Sequence, residues 1–201
     1  EVNFRQMHIY LIEAAPALLS AMSATSSSAM QSYLKKMGVE VITETAVKNY
    51  DGKNVQLSNG NILQSNCLIW AAGVKGFSFA GIPENAVAPN GRMLVNDFNE
   101  VEGLKNIFVI GDAALMKNNL YPKGHPQVAP VAIQQATWLA KNLNKKYFGE
   151  TMQSFIYKDK GTMATAGRNK AVAEIKQLKL KGFFAWFTWM AVHLMSIIGV
   201  K

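Results

Sequence analysis

His8-Ile-Tyr-Leu-Ile12, a helical stretch and Val39-Glu-Val-Ile42 form a strand–helix–strand unit, the stretch that most restricts the fold. A helix crossing back over a sheet returns the chain in its first direction, so the two strands are expected to pair in parallel. Residues Ala17 to Lys36 read as that helix, with a polar middle from Ser23 to Ser28, and Gly38 stands where a left-handed stop belongs. Glu13 closes the first strand. In a dinucleotide-binding unit an acid at this point hydrogen-bonds a ribose 2′-OH and repels a 2′-phosphate; elsewhere it is a solvated strand-end carboxylate. No G-x-G occurs in the sequence, so the dinucleotide reading requires the phosphate-binding loop to lie upstream of Glu1.

Further along, Asn54-Val-Gln-Leu57 and Ile62-Leu63 flank Asn59-Gly60, a hairpin signal. Cys67-Leu-Ile-Trp70 reads as a buried strand with Cys67 as a small buried residue, and Ala71-Ala-Gly73 lets a backbone or a ligand come close. Gly76, Gly81, Pro83, Pro89 and Gly91 then mark a crossing between domains. Met93 to Asn96 and Ile107 to Ile110 read as two more strands. The second stops on Gly111-Asp112, and a loop with Pro122, Gly124 and Pro126 turns into a helix that runs to Leu143. A carboxylate at the carboxyl edge of a sheet sits where ligands of α/β folds bind. The helix behind it offers free N–H groups and a positive dipole end. A capping Asp at a strand-to-turn stop is the plainer alternative.

The chain, 201 residues with 49% hydrophobic and 17% charged, can bury a sizeable core. One cysteine excludes a disulfide framework. Glu1-Val-Asn-Phe-Arg5 is not a charged leader before an apolar core, and the missing initiator methionine points to a piece of a longer protein. Much of the net charge of +8 sits at the end: from Thr151 onward there are eight basic residues against Asp159 and Glu174. Here Phe155 to Tyr157 reads as a short strand, Gly161 to Gly167 as a small-residue turn region, and Ala171 to Leu180 as a basic helical stretch. Phe183 to Val200 is an apolar helix of roughly 18 residues, at the lower limit for a span, with Trp186, Trp189 and His193 on one face. It lies in a membrane interface, packs under other parts of the protein, or spans. The aromatic residues follow the basic run rather than interleave with it, which suits a membrane surface better than a nucleic acid.

Together His8 to Leu19, Trp70-Ala-Ala-Gly-Val74, Ile107 to Ala113, Gln127 to Asn142 and Asp159 to Gly199 resemble the type II NADH:quinone oxidoreductases. The most specific parts are Ala129-x-x-Ala132-x-Gln134-Gln135, Gly161-Thr-Met-Ala164 with Gly167-Arg168, and Trp186-x-x-Trp189-x-x-x-His193-Leu194. The resemblance implies an α/β fold, part of a Rossmann-like reductase with two dinucleotide-binding domains. It also implies an inserted antiparallel sheet and a C-terminal amphipathic or apolar helical segment. Residues 1–79 would be part of the NADH domain, 80–149 the returning part of the FAD domain, and 150–201 the start of a membrane-associating region.

The same resemblance implies that NADH gives a hydride to FAD, which passes electrons to a membrane quinone. Asp112 would accept hydrogen bonds from the ribityl chain of FAD beside Gly111, and Val128 and Ala129 would open the helix facing the flavin's pyrimidine edge. Glu13 would bind the ribose of NADH, with Ala72 and Gly73 against the nicotinamide cofactor. Pro130 and Gln134 would lie at the quinone. The family usually has Gln at the position of Pro130 and Gly at Ala136; proline suits a helix's first turn but removes a polar group beside the quinone. No catalytic acid, base or nucleophile and no metal site is expected. The implied setting is peripheral, on the cytoplasmic face of the cell membrane or on the mitochondrial inner membrane in a eukaryote. Partners would be a quinone and an anionic membrane surface, with a homodimer admitted and no nucleic acid. The isolated chain, lacking both glycine-rich loops, is expected to be inactive. Alternatives are a non-enzymatic membrane-binding module and a soluble flavin-dependent reductase of the same superfamily.

Overall fold

The computed structural model describes residues 7–198. The opening stretch 1–5 and the end of the apolar run at 199–200 therefore lie outside the described residues. The chain divides into two compact units, one made of Glu1–Trp70 with Lys160–Lys201 and the other of Ala71–Asp159.

In the first unit β1 (Ile9–Ile12) pairs in parallel with β2 (Val39–Ile42), Ile9 opposite Val39 and Ile12 opposite Ile42. This is the pairing that the strand–helix–strand order requires. Their connecting helix α1 (Ala24–Lys36) stops at Met37, and Gly38 follows at φ +83°. It is shorter than the expected Ala17–Lys36 because Ala14 to Met22 runs in bends and turns. Leu19 takes φ +52° there, outside helical geometry, while Leu18 turns into the core beside Met30. Next comes a meander of β3 (Val47–Tyr50), β4 (Asn54–Leu57) and β5 (Ile62–Gln64). Gly60, at φ +87°, makes the expected hairpin turn between β4 and β5, and Leu57 donates to the Asn61 carbonyl at 2.9 Å.

The expected buried strand at Cys67–Trp70 is absent. Cys67 is exposed, and Ile69 and Trp70 are 84% and 64% exposed. Ser65 explains part of this: its hydroxyl donates to the Cys67 carbonyl at 2.8 Å and accepts from the Cys67 N–H. A side chain thus occupies both backbone groups that a ladder would use.

The second unit holds a parallel pair, β6 (Met93–Val95) and β7 (Ala114–Met116), with Met93 opposite Ala114. The strand expected at Ile107–Ile110 is instead an extended piece with one isolated bridge, Glu100 to Phe108. Asn99 accounts for the displacement, since its carbonyl accepts from Val109 N–H and its side-chain amide donates to Val109 O, both at 2.9 Å. Gly111-Asp112 accordingly stands in a short 3-10 turn, Gly111–Ala113, just before a strand rather than at the end of one. Helix α2 (Ala129–Tyr147) follows, with Pro130 in its first turn and Val131, Gln135, Leu139 and Asn142 buried at helical spacing. Phe155–Tyr157 is not a strand either. Phe155 N–H donates to Asp97 O at 2.8 Å and its ring fills the core with Val95, Ala114 and Met116. Burying that ring stabilises the unit by about 1.5–3 kcal/mol.

Back in the first unit, β8 (Thr162–Thr165), β9 (Ala171–Ile175) and β10 (Leu178–Lys181) form an antiparallel sheet with β9 in the middle. This replaces both the expected turn region at Gly161–Gly167 and the expected basic helix at Ala171–Leu180. Lys176, at φ +54°, turns the chain, and Leu178-Lys-Leu-Lys181 alternates with the period of a strand. Ala171 and Ala173 face Ala185 and Trp186 of α3 (Gly182–Ile198), whereas Val172 faces Leu18 and Met30. Three alanines at that contact let α3 approach β9 closely. On the α1 side Glu174 holds the helix start, accepting from Ser23 N–H at 3.0 Å and from the hydroxyls of Ser23 and Ser26. These bonds, Ser23's first, hold the Glu174 carboxyl below the usual range, and the helix dipole favours the same charge. Most of the apolar surface of α3 is uncovered, Phe184, Met195 and Ile198 each being more than 70% exposed. Among the described residues no helix is long and apolar enough to cross a membrane.

Candidate functional site

Six of the residues expected at a site lie in the second unit around the start of α2. Gly111 sits at φ +66°, and a Cβ there would come within 3.1 Å of Ala132 Cβ. At that φ a side chain is strained, and a Cβ would press on the helix, so glycine suits the close approach. Its N–H donates to Gln135 Oε1 at 2.7 Å, and Gln127 Nε2 donates to the Asp112 carbonyl at 3.1 Å. The Asp112 carboxylate is exposed and accepts no hydrogen bond from any described residue. Val128 precedes the helix in an extended conformation, and Ala129 and Pro130 open it, all three exposed. An open carboxylate and an exposed helix start are thus fixed to one another through Gln135 and Gln127. Such an arrangement can accept hydrogen bonds from hydroxyl groups and favour negative charge at the helix end.

Gln134 is engaged. Its Nε2 donates to Lys158 O and its Oε1 accepts from Lys158 N–H, both at 3.0 Å. The amide thereby straps the segment Phe155 to Lys158 along α2. Ala72 and Gly73 are exposed in the same unit, with open space around Gly73 at φ +94°. Glu13 belongs to the first unit, where one carboxylate oxygen accepts from Ala15 N–H at 2.8 Å.

Beneath the turn lies polar machinery that the sequence reading did not single out. Arg92 is 5% exposed, and its Nε and Nη2 donate to the Ala114 carbonyl while Nη2 also donates to His125 O at 3.0 Å. Burial lowers the Arg92 pKa, and the charge of Asp112 works against that. His125, 1% exposed, packs against Tyr121, Phe155 and Tyr157, and its Nδ1 has no hydrogen-bond partner among the described residues. Burial, then the charge of Arg92, pushes its imidazole below the ordinary value, with Asp97 opposing. Gln135 stands in the motif named in the sequence, which gave it no role; its place on the stripe of Val131 and Leu139 accounts for its inward turn, whereas for Arg92 no local signal exists. Among the described residues no group of His, Cys, Asp and Glu could hold a metal ion.

The pyridine nucleotide-disulphide oxidoreductase family model matches residues 2–136. The chain is 33% identical to the type II NADH:quinone oxidoreductase Ndh of Mycobacterium tuberculosis, over all of this chain and 44% of that protein. It is 30% identical to the type II NADH:quinone oxidoreductase of Staphylococcus aureus strain MSSA476, over 99% of this chain and 50% of that one. The chain thus spans about half the length of these curated relatives. Among solved structures, NDH2 from Plasmodium falciparum in complex with NADH superposes with a TM-score of 0.80 at 20% identity, covering 94% of this chain and 54% of its own. The sulfide:quinone oxidoreductase of Aquifex aeolicus gives 0.70 at 17%, covering 93% and 48%. The shared fold is α/β, part of a Rossmann-like flavoprotein reductase.

Proposed function

The chain belongs to the pyridine nucleotide-disulphide oxidoreductase family, and on that premise we propose that it forms part of a membrane-associated type II NADH:quinone oxidoreductase that uses FAD. The observation that carries this reading is the likeness to proteins of that name along the whole chain, tail included. Under it residues 1–79 contribute to the NADH domain, 80–149 to the FAD domain and 150–201 to the membrane-facing region.

The residues around Gly111 fit one end of FAD. Asp112 offers an open acceptor for hydroxyl groups of the ribityl chain, and Gly111 keeps the turn free of a side chain where the backbone must come close. Val128 and Ala129 present the helix start, whose dipole favours negative charge by about 1 kcal/mol. When bound, FAD supplies the two-electron chemistry between NADH and quinone. The protein's own groups bind, orient and bias charge, so no side chain need act as acid, base or nucleophile. Glu13 would meet the ribose of NADH through its second carboxylate oxygen. By the same resemblance, Ala72 and Gly73 would offer exposed backbone to the nicotinamide cofactor. Pro130 would present only apolar surface to the quinone, and Gln134 only what its bonds to Lys158 leave free. The uncovered face of α3 with the turn residue Lys176 and Lys179 and Lys181 of β10 supports peripheral attachment to an anionic membrane, here put on its cytoplasmic face.

In the complete protein, Asp112→Ala is expected to weaken flavin retention by about tenfold or more, as loss of hydrogen bonds to a charged group implies. The assay is visible absorbance after gel filtration. Full flavin content in that variant would reduce Asp112 to a turn residue. The 201 residues alone, having no G-x-G loop, are expected to retain no FAD, and a yellow preparation that oxidises NADH would overturn that.

A further inference from the structure

Arg92 is a buried cation with no carboxylate partner among the described residues. Its donors instead go to two carbonyls from different segments. One is Ala114, two residues after Asp112, and the other is His125, three residues before Val128. The backbone prepares this placement: Arg92 immediately precedes β6, whose Met93 lies opposite Ala114 in the parallel pair. A second link runs alongside, because His125 N–H donates to Met116 O at 3.2 Å. Removing an unneutralised charge from water is costly, and a hydrophobic side chain of equal length would fill the same space without that cost. A guanidinium repays it through a rigid fork that can grip two carbonyls at once. The exposed Asp112 is an anionic group that its field reaches by Coulomb interaction.

We propose that Arg92 is a positioning residue of the Gly111–Asp112 site: its guanidinium bolts the turn to the loop that leads into α2, and its fixed positive charge favours an anionic ligand at that turn. The second half rests on the FAD reading above, since reduction of the bound cofactor adds negative charge there. The first half does not. Two variants separate the functions. Arg92→Lys keeps the charge but has no fork, whereas Arg92→Met keeps much of the length and loses both.

Hydrogen exchange on the complete protein, with and without added FAD, tests the bolt. Both variants should exchange faster, by about tenfold for loss of one charged hydrogen bond, at Ala114 to Met116 and at His125 to Val128 together, while β3 to β5 in the other unit stay protected. A potentiometric titration of the flavin tests the charge. The midpoint potential should fall in Arg92→Met and return towards the original value in Arg92→Lys, a split that a purely structural role would not produce. Unchanged exchange in both segments overturns the bolt. Equal potentials in the two variants overturn the charge role. If the unmutated complete protein binds no flavin, the FAD reading and the charge role fall together, and exchange alone then decides the bolt.

Discussion

Replacing Gln135 with leucine would remove the acceptor for Gly111 N–H while keeping the side chain's volume. Gln135 is 1% exposed and its Oε1 lies 2.7 Å from that nitrogen, so no water stands ready to substitute. An orphaned buried donor costs about 1–3 kcal/mol, and leucine returns some of this through apolar contact with Val131 and Leu139 on the same stripe. The net expectation is a loss of about 1–2 kcal/mol, or a urea midpoint lower by roughly 0.5–1 M at the m-values usual for small domains. Because the chain has two units, the transition should be followed by a probe in the second, and Trp138 fluorescence serves. Amide exchange at Gly111 should accelerate by about five- to thirtyfold, the same free energy read locally. A midpoint within error of the original, together with unchanged exchange at Gly111, would refute the reasoning and show that the turn is held by its own geometry.

Two further outcomes are expected. The His125 imidazole is pushed below its ordinary value, so its neutral form is favoured in the folded state; the stability this carries is present above about pH 6.5 and is lost as pH falls through the folded value. His125→Phe should flatten that limb of the pH–stability curve, measured by urea titration between pH 7.5 and pH 5 on the order of half-unit steps. Flotation with liposomes should retain the chain only when anionic lipid is present and should weaken with salt. Removal of α3 (Gly182–Ile198) should abolish it; binding that persists without α3 would mean the uncovered apolar face is not the anchor.

Elements whose signal is local were legible in the sequence. The β1–α1–β2 unit, the β4–β5 hairpin at Gly60 and the long helix after Pro126 all carry their own periodicity and stop residues. Contiguous apolar runs misled, because such a run does not say whether a partner strand exists. Cys67–Trp70 has none, and at Ile107–Ile110 the ladder groups of Val109 are taken by Asn99, a residue eight or more positions away from that run's start. In the tail, positive charge suggested a helix face, but the alternation of Leu178 and Leu180 with Lys179 and Lys181 was the better guide. The Arg92 fork joins carbonyls 22 and 33 residues away, a separation that no window of sequence reveals.

The pair Gln134-Gln135 shows how one helical step divides a site. Adjacent residues on α2 point about 100° apart, given 3.6 residues per turn, so identical side chains face different surroundings. Gln135 turns inward and fixes Gly111, while Gln134 meets the backbone of Lys158. Sequence resemblance singled out Gln134 as a quinone contact, and the geometry sets a condition on that role. Its amide already makes one donor and one acceptor bond, which leaves one N–H and one lone pair. A ligand that needs more must displace the Phe155–Lys158 strap, and exposed Pro130 offers no N–H to compensate. Recognition at this face therefore has to rest mainly on apolar contact, unless binding releases the strap from α2.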